Sequence, residues 1–275
     1  MSHNVSIIRN LFIALVPTFF LMMTGCSSGD SSDSGVAVDE GLRLDLPGLY
    51  STVRYINVKV VYEPGAEPFI GSTSGGIEYW SMFEENIRAL FQGRSIEPQV
   101  SVPKSLSEMN RIDSRNQPSW TAEEIVDLAG GIAGTVDDPS IAEMYVMFLG
   151  GYFNEDGGDN PKVVGVSVTG TPIIAIFKNV ILTTSATFLV ASYVEQATVV
   201  HEFGHLAGIV DSGVSMVSPH LDPEHLKHCT NDACVMYWQN EGAEDLSLFV
   251  QQMIDTGSLV MFCDQCLQDT RSYIP

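Results

Sequence analysis

Two histidines and a glutamate stand at the spacing of a helical zinc site. Residues 201–208 read His-Glu-Phe-Gly-His-Leu-Ala-Gly, which is the pattern His-Glu-x-x-His-x-x-Gly. On a helix, residues four apart lie on one face, so the imidazoles of His201 and His205 point the same way. Two such nitrogens can hold one Zn²⁺, and Glu202 can accept a proton from a metal-bound water as general base. The spacing therefore predicts a catalytic zinc site.

The histidines of the chain are strongly clustered. All those beyond residue 25 fall within one stretch of 28 residues: His201, His205, His220, His225 and His228. A catalytic zinc needs three protein ligands and an open position. Two residues can supply the third ligand. Asp211 lies three residues past Gly208, where a glycine allows a sharp turn back to the metal, and His228 lies further on.

Four cysteines form two closely spaced pairs near the C-terminus. The pairs are Cys229-x₄-Cys234 and Cys263-x₂-Cys266. Paired short spacings are typical of a structural zinc site. In an oxidising compartment the same four residues would instead form two disulfides. Both alternatives cross-link the segment that follows His228 to the C-terminal tail.

The N-terminus has the features of an export signal. Arg9 precedes an apolar run over residues 11–23, which is too short to span a membrane as a mature helix. The run ends in Gly25-Cys26, which resembles the lipobox of bacterial lipoproteins. The resemblance implies a signal peptide over residues 1–25 and a lipid anchor on Cys26. A polar linker follows over residues 26–48. By resemblance to the lipoproteins of Gram-negative bacteria, Ser27 after the cysteine implies the outer membrane of the cell envelope.

The charge balance bears on the partners of the chain. The 275 residues carry a formal net charge of −21, and no basic patch is visible. Such a surface repels phosphate backbones, so nucleic acid binding is not expected. Residues 49–275 are sufficient for one good-sized domain with a proper core.

Hydrophobic periodicity predicts an α+β fold. Alternation or continuous apolar character indicates strands, and a stripe at helical spacing indicates helices. Thr121 and Glu124 form a capping box that starts one helix. A mixed sheet with helices packed on it fits the order of the elements. The predicted strands are 53–62, 99–102, 144–149, 163–168 and 173–177; the predicted helices are 77–91, 121–133 and 187–206; residues 154–162 are predicted to form a loop.

These motifs together resemble the metzincins, which are zinc endopeptidases with a methionine-containing turn below the metal. The resemblance is closest to the archaemetzincins, in which His-Cys-x₄-Cys-x-Met and a later Cys-x-x-Cys follow the helix motif. This chain has His228-Cys229-x₄-Cys234-Val235-Met236. The resemblance implies a mixed twisted sheet, an active-site helix and a small cysteine-rich C-terminal subdomain, with residues 49–208 and 209–275 as the two parts. It also implies that Met236 lies beneath the zinc and that the four cysteines hold a second, structural zinc.

One departure from the archaemetzincin pattern concerns the third zinc ligand. In that family the histidine before the first cysteine stands three residues after the glycine, where this chain has Asp211. His228 follows 17 residues later. Because His228 keeps the His-Cys context, it is favoured as the ligand, with Asp211 as the alternative. His220 and His225 lie in the inserted segment, where they shape the site, orient a ligand or are merely solvated.

We therefore expect a lipid-anchored zinc metallopeptidase, specifically a metalloendopeptidase, that acts on peptides or proteins. Glu202 would accept the proton of the attacking water and pass it to the leaving amine. A peptide would lie along an edge strand above the helix, and 173–177 is the predicted strand. The alternative function is a catalytically inactive, lipid-anchored zinc-binding module.

Overall fold

The computed structural model describes residues 40–155, 157–184, 187–241 and 243–275. The predicted signal peptide, the lipidation site at Cys26 and most of the predicted linker lie outside these residues. The described end of the linker range contains a 3-10 turn, Glu40–Leu42, and the start of the first helix. Leu42 is buried, so the folded part begins before residue 49. Within the described ranges, no helix has the length and apolar character needed to cross a bilayer.

The secondary structure alternates between strands and helices up to the long helix that carries the His-Glu-x-x-His motif. The helices are α1 (Leu46–Ser51), α2 (Tyr79–Phe91), α3 (Ala122–Gly130), α4 (Lys178–Ile181), α5 (Phe188–Leu206), α6 (Ala243–Thr256) and α7 (Asp264–Ser272). The strands are β1 (Tyr55–Tyr62), β2 (Gln99–Ser101), β3 (Asn110–Arg111), β4 (Ser119–Trp120), β5 (Ile141–Leu149), β6 (Tyr152–Glu155), β7 (Gly158–Asn160), β8 (Gly165–Ser167) and β9 (Ile173–Phe177).

The main sheet is mixed, as the sequence predicts. Its strand order is β2-β1-β5-β9-β8, and β3 also pairs with β1. The pairs β1–β2, β1–β5 and β5–β9 are parallel, and β8 runs antiparallel to β9. Strand β9 and the last six residues of β5 are buried, because parallel strands are covered on both faces. The molecule is therefore a mixed sheet with helices packed on it.

Two sequence predictions about the strands are wrong. Residues 173–177 were expected at the sheet edge, but β9 is hydrogen-bonded to β5 on one side and to β8 on the other. The edge next to β9 is the three-residue strand β8. Residues 154–162 were expected to form a loop, but β6 and β7 form an antiparallel hairpin that pairs with β4 in a second, small sheet. The Gly, Asp, Asn and Pro residues of this stretch are depleted in strands and typical of turns, so its composition concealed the two short strands.

Helix α5 contacts both the main sheet and other helices. It packs on β8 and β9, and it contacts α2 and α6. Gly165 of β8 approaches α5 closely, since a Cβ atom at this position would lie 2.7 Å from Cγ2 of Thr198. The helix begins at a Thr187 cap, whose hydroxyl accepts a hydrogen bond from the Val190 amide at 3.4 Å. The cysteine-containing C-terminal part packs against α2 and α5 within the same compact unit.

Candidate metal centres

Helix α5 holds the first two histidines one turn apart. His201 is buried and His205 is half-buried. The Nε2 atoms of the two imidazoles are 3.1 Å apart. Two imidazole nitrogens bound to one tetrahedral zinc are separated by about 3.3 Å, given the usual Zn–N distance. The i, i+4 spacing therefore produces the separation that a shared zinc requires.

His228 joins this pair, as the sequence analysis favours. One ring nitrogen from each of His201, His205 and His228 lies within 4.8 Å of the other two. The ring centroid of His228 is 5.3 Å from that of His201 and 5.1 Å from that of His205. We call these three residues the histidine group. Three imidazoles that converge on one point are a donor set that suits zinc.

Backbone carbonyls orient two of the three imidazoles. Nδ1 of His201 is 2.7 Å from the Val235 carbonyl oxygen, and Nδ1 of His228 is 2.9 Å from that of Leu226. A carbonyl only accepts, so each Nδ1 donates and each Nε2 keeps its lone pair for a metal. Burial, followed by repulsion from His201 and His228, lowers the pKa of His205 well below its ordinary value. The neutral imidazole is the form that binds metal.

Asp211, the alternative third ligand, lies outside the histidine group. Its side chain is exposed, and its backbone is left-handed with φ 61°. The turn that begins at Gly208, with φ 77°, continues through the buried, left-handed Val210, and Asp211 follows at the surface. Among the described residues, the structure thus brings His228 rather than Asp211 to His201 and His205.

Glu202 follows His201 on α5 and is buried, with 6% of its surface exposed. Its carboxyl group is thus held in the interior one residue from the first histidine. A buried carboxylate beside a metal site is suited to accept and return a proton, because its surroundings exclude competing water.

Met236 lies directly beneath the helix motif. A Cβ atom on Gly204 would be 2.3 Å from the Met236 sulfur and 3.1 Å from the Phe262 ring. Met236 is fully buried, while Tyr237 and Trp238 are half-buried. The Met236 carbonyl accepts a hydrogen bond from the Cys229 amide at 2.7 Å. Met236 thus packs against α5 next to His205 and is tied to the first cysteine.

The four cysteines form a second donor group, which we call the cysteine cluster. All four thiols are free, and their sulfur atoms lie within 4.8 Å of one another. The sulfur of Cys263 is 3.8 Å from that of Cys229 and 3.7 Å from that of Cys266, and the Cys234–Cys266 distance is 3.6 Å. Sulfurs around one tetrahedral zinc are separated by about 3.8 Å. The cluster therefore has the dimensions of a tetrathiolate zinc site.

The four thiols differ in acidity, since burial raises the pKa of the Cys234 thiol. Hydrogen bonds within and around the cluster favour the thiolate form of Cys229. Those from the other thiols, Cys234 first, hold the pKa of Cys229 well below its ordinary value. The Cys263 amide points to the Cys234 sulfur at 3.3 Å, and the Asn231 amide points to that of Cys229 at 3.5 Å. Thiolates are the form in which cysteines bind metal.

His220, in the inserted segment, contacts the cysteine cluster. Its Nδ1 lies 3.3 Å from the Cys229 sulfur, and its Nε2 lies 2.6 Å from Oδ2 of Asp269. The contact with Cys229, with a further contribution from Asp269, raises the pKa of His220 to about 9. The sequence analysis did not identify Asp269. Its position three residues after Cys266, on the same face of one helix, is the signal that was available.

His225 has a different environment in the same segment. Its ring stacks on Trp238, with centroids 3.8 Å apart and an interplanar angle of 3°. Nδ1 of His225 lies 3.1 Å from Oδ2 of Asp222. Within the part of the chain that the structure describes, His225 and His220 belong to neither the histidine group nor the cysteine cluster.

Residues 228–236 connect the two donor groups. His228 belongs to the histidine group, and the next residue, Cys229, belongs to the cysteine cluster. At the other end, Cys234 precedes Val235, whose carbonyl orients His201. Any movement of this segment would therefore change both groups.

The comparisons with known proteins give little further information. No protein-family model and no curated protein matches the sequence. The chain is similar to the crystal structure of a zinc-dependent peptidase from Methanocorpusculum labreanum, with a TM-score of 0.43 and 15% sequence identity. The alignment covers 78% of this chain and 99% of that one. This TM-score is too low to establish a shared fold, so function has to be argued from the side chains of this chain.

Proposed function

We propose that this chain is a zinc-dependent peptidase in which His201, His205 and His228 hold the catalytic zinc and Glu202 is the general base. The observation that carries this proposal is the convergence of three imidazoles on one point, with the buried carboxylate of Glu202 adjacent in sequence to His201 on α5. A site that only binds zinc has no need of that carboxylate. The packing of Met236 on Gly204 and the sequence pattern support a metzincin-like, more specifically archaemetzincin-like, metalloendopeptidase.

Each residue of the site has a distinct part in the proposed reaction. When bound, zinc would lower the pKa of a water at its open position and polarise the scissile carbonyl. Glu202 accepts a proton from the attacking water and donates it to the leaving amine. The Val235 and Leu226 carbonyls keep His201 and His228 in the tautomer that binds metal. Met236 packs against Gly204 and so holds the base of the site rigid.

The cysteine cluster is proposed to hold a second zinc with a structural role. Four free thiols at the separations of a tetrahedral site support zinc rather than two disulfides. A closed tetrathiolate site leaves no position for a substrate, so its contribution is to folding. It would join residues 229–234 to the start of α7.

The peptide substrate is proposed to pair with the edge strand β8. This strand is antiparallel to β9 and packs directly on α5, where Gly165 contacts Thr198 one turn before His201. An extended peptide added to such an edge gains main-chain hydrogen bonds regardless of sequence. That geometry would carry a peptide bond past the histidine group.

The function is tested with the zinc-loaded protein and a library of unstructured peptides. We expect cleavage that a chelator abolishes and added zinc restores. Glu202→Gln should retain zinc while hydrolysis falls by at least about 100-fold, which is the typical contribution of a general base. The matched control is Glu123→Gln, which changes an exposed carboxylate on α3 and should cleave at the wild-type rate.

Two outcomes would count against the peptidase assignment. Undiminished cleavage by Glu202→Gln would contradict the assigned base. A wild-type protein that binds zinc at the histidine group but cleaves no member of the library would support the alternative of a zinc-binding module without catalysis.

The chain is further proposed to be exported and anchored through a lipid on Cys26, in the bacterial envelope and, from Ser27, in the outer membrane. The support is the sequence pattern of residues 9–27 alone. Cys26→Ala should move the protein from the membrane fraction to the soluble fraction. A variant that stays in the membrane fraction would contradict the anchor.

A further inference from the structure

His220 is a buried polar residue that the peptidase mechanism does not use. Only 2% of its surface is exposed, and it lies in the segment between Asp211 and His228 that the archaemetzincin pattern lacks. An uncompensated imidazole would be costly to bury. Both ring nitrogens are nevertheless in contact with polar partners, and these contacts offset the cost of burial.

The ring of His220 is held between a carboxylate and a metal-ligand candidate. Asp269 accepts from Nε2 of His220 at 2.6 Å and from the Val217 amide at 2.7 Å, so its own two oxygens are fixed. Nδ1 then points to the Cys229 sulfur at 3.3 Å. A carboxylate and a thiolate only accept hydrogen bonds, so His220 is the donor to both. An N–H group that points at a thiolate draws charge from the sulfur and tunes the metal it binds.

Backbone hydrogen bonds connect the segment around His220 to the segment that contains His228. The His220 carbonyl accepts from the Thr230 amide at 2.9 Å, and the Asp222 amide donates to the His228 carbonyl at 2.8 Å. Leu221 forms an antiparallel bridge with Cys229. Residues 220–222 thus pair with 228–230, and His228 sits on the second arm of this hairpin.

We propose that His220 is a positioning residue that locks the inserted segment onto the metal-filled cysteine cluster and thereby holds His228 in the histidine group. The proposal rests on the metal-binding part of the proposed function, and it assigns the insertion a role. Metal bound to the four cysteines would fix the position of Cys229. The imidazole of His220 is then fixed by its hydrogen bond to the Cys229 sulfur. The hairpin of residues 220–230 in turn places His228 beside His201 and His205.

The test uses the full chain with cobalt(II) in place of zinc, because thiolate-to-cobalt absorption reports on the cysteine cluster. His220→Leu is compared with His225→Leu, which removes an imidazole from the same segment that touches Trp238 instead of sulfur. We expect His220→Leu to shift the thiolate band. Metal loss to a chelator should be at least about 10-fold faster from both sites, as expected for the loss of an outer partner of a ligand. His225→Leu should leave the band and the release from the cysteines unchanged.

A second variant covers the case in which His220→Leu does not fold. Asp269→Asn keeps the volume of the side chain but removes the carboxylate that aims the His220 ring. It should also release metal faster from both sites. If either variant folds and loses metal from both sites at the wild-type rate, the proposal is overturned. Faster release from the cysteines alone would overturn the link to His228.

The same measurement separates this proposal from the peptidase assignment. A wild-type protein that shows no thiolate-to-cobalt absorption would overturn the role of His220 together with the metal in the cysteine cluster. The Glu202→Gln comparison is read from peptide cleavage, so it stands or fails independently of that result.

Discussion

Met236 packs so tightly on Gly204 that a methyl group on the glycine would lie 2.3 Å from the Met236 sulfur. This contact requires a glycine at position 204, because any side chain there would collide with Met236. It also ties α5 to the segment that carries His228, since Met236 and His228 lie on the same stretch of backbone. The packing of Met236 on α5 therefore depends on a glycine that is not itself a candidate metal ligand.

Gly204→Ala should displace Met236 and loosen the site. Overpacking of a buried contact costs about 1–3 kcal/mol, so we expect the free energy of unfolding to fall by that amount and zinc to bind more weakly. Gly130→Ala is the matched control, because its nearest neighbour would be Leu42 at 3.8 Å, an ordinary contact. Chemical denaturation and zinc titration measure both effects. A Gly204→Ala protein as stable as the control would contradict the tight packing.

The identity of the third ligand gives a second prediction. His228→Ala should weaken zinc binding at the histidine group by more than the roughly 10- to 100-fold that loss of an outer partner costs. Asp211→Asn should leave zinc affinity unchanged, since Asp211 is exposed and asparagine tolerates its left-handed backbone. Competition with a chromophoric chelator measures both affinities. A large loss of zinc affinity in Asp211→Asn together with wild-type affinity in His228→Ala would show that Asp211 is the ligand.

The position of β8 gives a third prediction. A Cβ atom on Gly165 would lie 2.7 Å from Thr198 and 3.2 Å from the Ala175 carbonyl oxygen, so Gly165→Ala should push the edge strand off α5. We expect kcat/KM for peptides to fall by about 10- to 100-fold, because the substrate is misplaced, while zinc content is retained. Gly158→Ala on β7 is the control, with its nearest atom at 3.9 Å. Equal kinetics for the two variants would exclude β8 as the peptide-binding edge.

A buried ion pair gives the fourth prediction. Lys178 contacts Glu195 of α5, and the Phe69 amide donates to the same carboxylate at 2.7 Å. Breaking a buried pair leaves one charge without its partner and costs about 3–5 kcal/mol. We therefore expect Glu195→Gln and Lys178→Met each to destabilise the protein strongly. In chemical denaturation, the double variant should lose less free energy of unfolding than the two single variants lose together. Additive losses would contradict a direct interaction.

The sequence predicted the elements that have a strong local signal. The Thr121–Glu124 capping box is formed with both of its hydrogen bonds and starts α3. Strand β9 has the predicted bounds, and α5 begins at its Thr187 cap, within one residue of the prediction. Each of these rests on contacts within a few residues of chain, which is why periodicity and capping rules suffice.

Elements whose stability comes from distant contacts were not recognised. Helix α7 buries Asp269 and Thr270 along with Cys266 and Leu267, so its inward face is not a simple apolar stripe. The hairpin of β6 and β7 is stabilised partly by pairing with β4, far back in the chain. Local sequence patterns do not reveal contacts with residues that are distant in the chain.

The histidine group shows the same division. His201 and His205 follow from helical spacing alone. His228 was favoured over Asp211 by its sequence context. The pairing of residues 220–222 with 228–230, which surrounds His228 in the structure, has no local signal in the sequence. Asp269 was missed because it contacts His220, which lies 49 residues earlier in the chain, and no motif links those two residues.

The most direct test of the central claim is a crystal structure of the zinc-loaded protein with anomalous data on both sides of the zinc absorption edge. We predict one anomalous peak about 2.0–2.1 Å from Nε2 of each of His201, His205 and His228, and a second about 2.3 Å from the four cysteine sulfurs. The absence of a peak between the three histidines, or a peak that Asp211 completes in place of His228, would contradict the account.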